Sequence, residues 1–129
     1  MGFAGMVASA MGYRVVLGDL EADALLFAKL NVPLAEARRL DWRSDQLGQR
    51  FDLIIGADVL YDRKQWEFLE PFWREHLASG GEVLLGEPGR QTGDLFIDWI
   101  GARGWKLTRF EQKVATREKP IRLFRLRAG

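Results

Sequence analysis

Short apolar runs alternate with amphipathic stretches along this chain, and the alternation predicts an α/β fold. The runs Arg14 to Gly18 (RVVLG), Phe51 to Gly56 (FDLIIG) and Glu82 to Gly86 (EVLLG) are too short for helices. Runs of this kind between helical segments read as buried parallel strands. Ala37 to Leu40 is a fourth, shorter one. Helical segments are expected at Gly2 to Met11, at Ala22 to Val32 before Pro33, at Lys64 to Ala78 and at Thr92 to Ala102. In the third of these, Trp66, Leu69, Trp73 and Leu77 share one face. Pro71 predicts a kink or break there, and Ser79-Gly80-Gly81 is expected to close the helix. Asp41 to Arg50 reads as a polar loop. Trp105 to Lys113 and Ile121 to Leu126 predict an antiparallel hairpin at the sheet edge.

This order predicts a doubly wound, Rossmann-like three-layer sandwich with a mostly parallel sheet and a C-terminal antiparallel hairpin. The length of 129 residues fits one domain, spanning 1–129. The start is anomalous. The chain opens on the tail of a glycine-rich turn, whereas in a nucleotide-binding α/β fold that turn follows a central strand. The expectation is therefore an incomplete domain with its first strand missing. The open seam this would leave is a candidate surface for dimerisation.

Composition narrows the chemistry. There is no cysteine, which removes disulfides, thiolate nucleophiles and cysteine metal sites. The single histidine, His76, cannot build a multi-histidine metal site, so no metal site is expected; it reads as structural or surface. No apolar stretch is long enough to span a membrane, and the start lacks the features of a signal peptide. A cytoplasmic location is the expectation. Net charge is +1, so no whole-molecule field points to a polyanionic partner. Locally, Arg103 to Arg127 carries nine Lys/Arg against two acids. That hairpin reads as a solvated edge or as a surface for docking a partner. An aromatic-and-basic groove for nucleic acid is not evident.

Acidic residues recur just past the apolar runs: Asp19, Asp41, Asp58 and Glu87. Ligands of open α/β sheets bind beyond the carboxyl ends of the strands, so this set reads as one ligand rim. Asp19 suits the hydroxyls of a ribose, or an N-cap. Asp41 can accept from an adenine amino group while Trp42 covers a base face, or Trp42 fills a gap beside a loop. Asp58 and Tyr61 can both face a substrate if the chain turns there. Asp62 is the better cap for the following helix, which leaves Asp58 free for chemistry. Glu87 and Arg90 flank a Pro-Gly turn, either near the rim or simply solvated.

The succession GFAG, VVLGD, LDW, FDLIIGADVLYD and GGEVLLGEPGR resembles the class I, seven-β-strand S-adenosylmethionine-dependent methyltransferases. It is most similar to the methyltransferase family 16 branch, which includes protein-lysine methyltransferases, and Asp58 with Tyr61 matches that branch's Asp-x-x-Tyr signature. The resemblance implies S-adenosylmethionine as cofactor and a protein lysine as methyl acceptor. It implies that Gly2 and Gly5 end the cofactor loop, that Asp19 holds the ribose and that Asp41 and Trp42 lie on the adenine side. Asp58 and Tyr61 are then at the methyl-transfer site. Two other readings stand beside it. One is a fragment of an NAD(P)-binding dehydrogenase, which leaves LDW and ADVLYD unexplained. The other is an inactive domain that docks through the basic hairpin.

Overall fold

The computed structural model describes residues 16–19, 36–39, 42–57, 59–116 and 118–129. The chain divides into two compact units, Met1–Asp45 and Gln46–Gly129, and each is described by itself. In the first, β1 (Val16–Asp19) pairs in parallel with β2 (Glu36–Arg39), Val16 opposite Glu36 and Asp19 opposite Arg39. The helices expected over residues 2–11 and 22–32 lie outside the described residues.

In the second unit the apolar run at Phe51 becomes β3 (Phe51–Ala57). A 3-10 turn at Arg63–Gln65 leads into α1 (Trp66–His76), followed by β4 (Leu77–Glu87), α2 (Gln91–Ala102), β5 (Trp105–Gln112) and β6 (Ile121–Ala128). The strands form one mixed sheet in the order β3-β4-β6-β5. β3 and β4 are parallel, and β6 is antiparallel to both β4 and β5. The architecture is the expected Rossmann-like α/β arrangement with an antiparallel hairpin. The hairpin stands at the sheet edge as expected, with β6 beside β4 and β5 outermost.

Alternation along β4 and β6 explains the core. Val83, Leu85, Phe124 and Leu126 point to one face and are buried. Onto that face α1 delivers Trp66, Leu69 and Trp73, and α2 delivers Phe96 and Ile100. The rings meet edge-on or offset: Trp66 and Phe96 at 5.2 Å, Trp73 and Trp105 at 6.2 Å. The opposite face carries Ile55, Phe110, Ile121 and Leu123, all exposed.

Two expectations about α1 are corrected. Pro71 sits inside the helix without ending it. It is exposed, while Trp66, Leu69 and Trp73 hold the turns on both sides against the sheet. That burial outweighs the one hydrogen bond a proline removes. The helix also ends at His76, before the glycines expected to stop it. Leu77 turns to an extended backbone and pairs with Phe51, and Arg50 Nη1 donates to its carbonyl at 2.8 Å. Ser79, Gly80 and Gly81 then lie in an irregular opening of β4, where the pairing jumps from Phe51–Leu77 to Leu53–Glu82. His76 is structural. Its ring stacks on Phe72, Nδ1 lies 2.8 Å from the Phe72 carbonyl, and Nε2 accepts from the Leu47 amide at 2.9 Å.

Glycines in α2 make a paired test. A Cβ at Gly93 would stand 2.6 Å from both Arg122 Nη2 and Glu87 Cδ, whereas one at Gly101 meets nothing within 4 Å. Gly93→Ala should therefore destabilise by about 1–3 kcal/mol through overpacking. Gly101→Ala should stabilise by about 0.5–1 kcal/mol through helix propensity. Urea unfolding of the two variants reads the opposite signs.

Glu70 supplies a pH signature. Burial alone would raise its pKa, but hydrogen bonds from Arg74 Nε at 2.5 Å and Trp105 Nε1 at 3.1 Å outweigh that and hold it below the ordinary 4.5. A carboxylate depressed on folding contributes stability that is complete above the ordinary value and is lost as pH falls through the folded one. Urea unfolding should show stability declining as pH drops below 4.5, with a shallower decline in Glu70→Gln.

Candidate active site

In a parallel pair both carboxyl ends face one way, and that is where an α/β sheet binds ligands. Asp19 is the last residue of β1, and Trp42 follows closely on β2 in a turn over residues 42–44. Asp58 follows Ala57, the last residue of β3, and Glu87 ends β4. Within each unit the acids thus attach to the carboxyl ends of a parallel pair. Gly2, Gly5, Asp41 and Asp58 themselves lie outside the described residues. Asp19 is described by its backbone alone.

The segment after Asp58 is fixed by local contacts. Val59 lies against Gly56, where a Cβ would come within 3.2 Å of it and 3.0 Å of Leu85. Glycine at 56 thereby lets the chain fold back tightly over the end of β3. Leu60 is fully buried, and its carbonyl accepts from Trp66 Nε1 at 3.1 Å. Asp62 Oδ1 accepts from the Lys64 amide at 3.0 Å, so Asp62 is the cap, as expected. Tyr61 projects into solvent, 62 % exposed. Three local anchors therefore hold a short loop that presents Tyr61 outward. The roles of Gly56 and Trp66 in this loop are not evident from the sequence, because they depend on which residues the folded chain brings beneath it.

Glu87 does not belong to a ligand rim. It is 2 % exposed, and its oxygens are taken up internally. Oε1 accepts from the Gly89 amide at 2.7 Å and from Arg122 Nε and Nη2 at 2.8 and 2.6 Å; Oε2 accepts from the Arg90 amide at 2.8 Å. Arg122 also pairs with Asp94 and donates to the Arg90 carbonyl at 3.0 Å. Burial alone would lower the Arg122 pKa, but the hydrogen bonds to Asp94 and Glu87 raise it above its ordinary value, so it stays charged. The network clamps the turn between β4 and α2.

Part of the basic hairpin is satisfied internally. Glu82 takes Arg125 in a bidentate pair at 2.7 and 2.9 Å, and takes Arg127 at 2.6 Å. Arg103 lies over the Trp99 ring at 4.1 Å. These contacts favour the solvated-edge reading over partner docking.

Comparison with known proteins decides the family. Residues 1–100 match the model of a family described as lysine methyltransferase. The chain belongs to that family. S-adenosylmethionine is the methyl donor of the family. Among solved structures, the chain is similar to the N-methyltransferase NodS of Bradyrhizobium japonicum in complex with S-adenosylhomocysteine. The two are 20 % identical with a TM-score of 0.73, covering 89 % of this chain and 66 % of NodS. A TehB-like S-adenosylmethionine-dependent methyltransferase of Corynebacterium glutamicum matches at 23 % identity and a TM-score of 0.79, covering 99 % of this chain and 75 % of that one. The glycopeptide N-methyltransferase MtfA with S-adenosylhomocysteine matches at 14 % identity and a TM-score of 0.82, covering the whole of this chain and 79 % of MtfA. At these identities the likeness shows the fold. Among the described residues no group of acids and histidine could hold a metal ion, and no helix is long and apolar enough to cross a membrane.

The internal role of Glu87 is directly testable. Glu87→Gln leaves Arg122 with a buried cation and only the exposed Asp94 to balance it. Breaking a buried pair in this way costs about 3–5 kcal/mol. Thermal and urea unfolding should register that loss.

Proposed function

We propose that this chain carries the methyl-transfer chemistry of a protein-lysine methyltransferase. The observation that carries the reading is the family match over residues 1–100. The carboxyl-end position of Asp19 supports it. So does the loop that follows Asp58, anchored at Val59, Leu60 and Asp62.

In this reading Gly2 and Gly5 leave room for the backbone to approach the cofactor. Asp19 accepts hydrogen bonds from its ribose hydroxyls, and Asp41 with Trp42 takes the adenine side. Bound S-adenosylmethionine supplies an electrophilic methyl on a sulfonium, with a neutral thioether as leaving group. The protein's task is then mainly positioning. Asp58 orients the lysine nitrogen through a hydrogen bond, and Tyr61 shapes the mouth of the pocket. A carboxylate stabilises a protonated amine, so Asp58 favours amine binding and orientation more than it lowers the amine pKa. The amine attacks in its neutral form, and the methylated nitrogen carries the positive charge away. A cytoplasmic protein substrate fits this chemistry, and nucleic acid is not part of the proposal. The family match favours this reading over the dehydrogenase one.

Calorimetry and a methyl-transfer assay on the full chain test the proposal. S-adenosylhomocysteine should bind the unmodified protein and fail to bind Asp19→Ala. Asp58→Ala should retain binding and lose transfer to a lysine-bearing protein. Undiminished turnover in Asp58→Ala removes it from the mechanism. Absence of binding to the unmodified chain favours the inactive docking domain, and saturable NADH binding in its place favours the dehydrogenase.

A further inference from the structure

At the opposite end of the four-stranded sheet from Glu87, an open cleft of about 780 Å³ is lined by Arg50, Arg74 and Arg127 around Leu77–Gly81 and Ala128. Arg50 precedes β3, Leu77–Gly81 open β4, and Ala128 closes the antiparallel β6, so the cleft sits at the amino ends of the parallel strands. Its size is that of a site for a small metabolite. Ser79, Gly80 and Gly81 are among its lining residues, and Gly80 has φ of 76°.

The lining contains no carboxylate. Each guanidinium is held by one or two internal acceptors and keeps a donor in reserve. Arg50 uses Nη1 on the Leu77 and Arg74 carbonyls at 2.8 and 3.4 Å, which leaves Nε and Nη2 without a protein acceptor among the described residues. Arg74 uses Nε on Glu70 and Nη2 on the Arg103 carbonyl at 2.8 Å, and it lies over the Trp105 ring at 4.9 Å. Arg127 uses Nε and Nη2 on Glu82, leaving Nη1. Four guanidiniums, counting Arg125 behind Arg127, thus face two carboxylates, Glu70 and Glu82. The imbalance is positive, and the forks are pre-positioned by the contacts they already make.

We propose that this cleft binds a small phosphate-bearing anion. Guanidinium forks that converge from three elements match a group presenting several oxygens, and each remaining N–H forms a charge-assisted bond. The site is at the other end of β4 from Glu87, and it stands whether or not the methyl-transfer reading holds.

The test titrates isotope-labelled full chain with inorganic pyrophosphate and follows backbone amides by NMR. The amides of Ser79, Gly80 and Gly81 should shift saturably, and the affinity should fall as salt is added. Arg50→Gln should weaken binding about tenfold, the loss expected for a hydrogen bond to a charged group. Lys113→Gln, on the hairpin and outside the cleft, should leave it unchanged. Because Arg50 also holds the Leu77 carbonyl, Arg127→Gln provides a second reading in which Arg125 still neutralises Glu82. Citrate in place of pyrophosphate separates the sources of charge: weaker binding supports phosphate, and equal or tighter binding overturns that assignment. The site is overturned if the Ser79–Gly81 amides do not move. It is equally overturned if Lys113→Gln costs as much as the arginine variants.

Discussion

The buried pairing of Glu87 with Arg122 sets how the second unit is assembled. β4 takes a parallel neighbour on one side and an antiparallel one on the other, and its last residue is a carboxylate removed from water. Burying two charges is costly unless their remaining lone pairs and protons are also satisfied. Here they are, through the Gly89 and Arg90 amides and the Arg90 carbonyl. The pair also specifies register. Arg122 lies directly opposite Glu87, and a slip of one residue would bring Ile121 or Leu123 into its place. The carboxylate would then be buried without a counter-charge, and the faces of β6 would exchange. Gly93 is part of the same constraint, because only a residue without a side chain lets α2 start beside the pair.

That constraint divides the strand-exit acids into two kinds. Glu87 turns inward and Asp62 caps a helical turn, so both are taken up by the backbone around them. Glu87, 2 % exposed, is not available to a ligand. The loop after Asp58 owes its shape to other groups, Gly56, Leu60 and Trp66. Asp62 satisfies the helix start, so that cap does not depend on Asp58. A carboxylate at a strand exit is thus chemical or architectural according to whether a neighbouring amide or cation already claims it.

Much of this was legible in the chain, and the exceptions have a common cause. The strands at Phe51, Glu82, Trp105 and Ile121 could be read because burial imposes a local hydrophobic pattern. The helix around Trp66 could be read from its period, and Asp62 from capping. What could not be read rests on non-local pairing. The Gly80-Gly81 step looks like a helix terminator, yet the helix stops at His76 because Leu77 pairs with Phe51 and is held by Arg50. Pro71 looks like a breaker until the burial on either side is known. β6 takes its place beside β4, and Arg122 its place beside Glu87, through a pairing that spans 35 residues of chain. At the candidate site, Tyr61 is placed by the structure and Asp19 by its backbone. Gly2, Gly5, Asp41 and Asp58 rest on the sequence alone, since they lie outside the described residues.

Charge shows the same difference between counting and geometry. Along the sequence the C-terminal hairpin is a block of cations with few acids near it. In the fold, Glu82 and Glu87 from β4 and Asp94 from α2 meet Arg125, Arg127 and Arg122 on β6. Three of the hairpin's arginines are therefore met by acids from elsewhere in the fold. Positive charge accumulates instead where elements distant in sequence end together, Arg50 before β3, Arg74 late in α1 and Arg127 near the end of β6. The sheet thus acquires a polarity that no segment carries by itself. At the carboxyl end of β4 the Glu87 carboxylate is matched by Arg122, whereas guanidiniums gather at the amino ends of β3 and β4. An anion is drawn to that end.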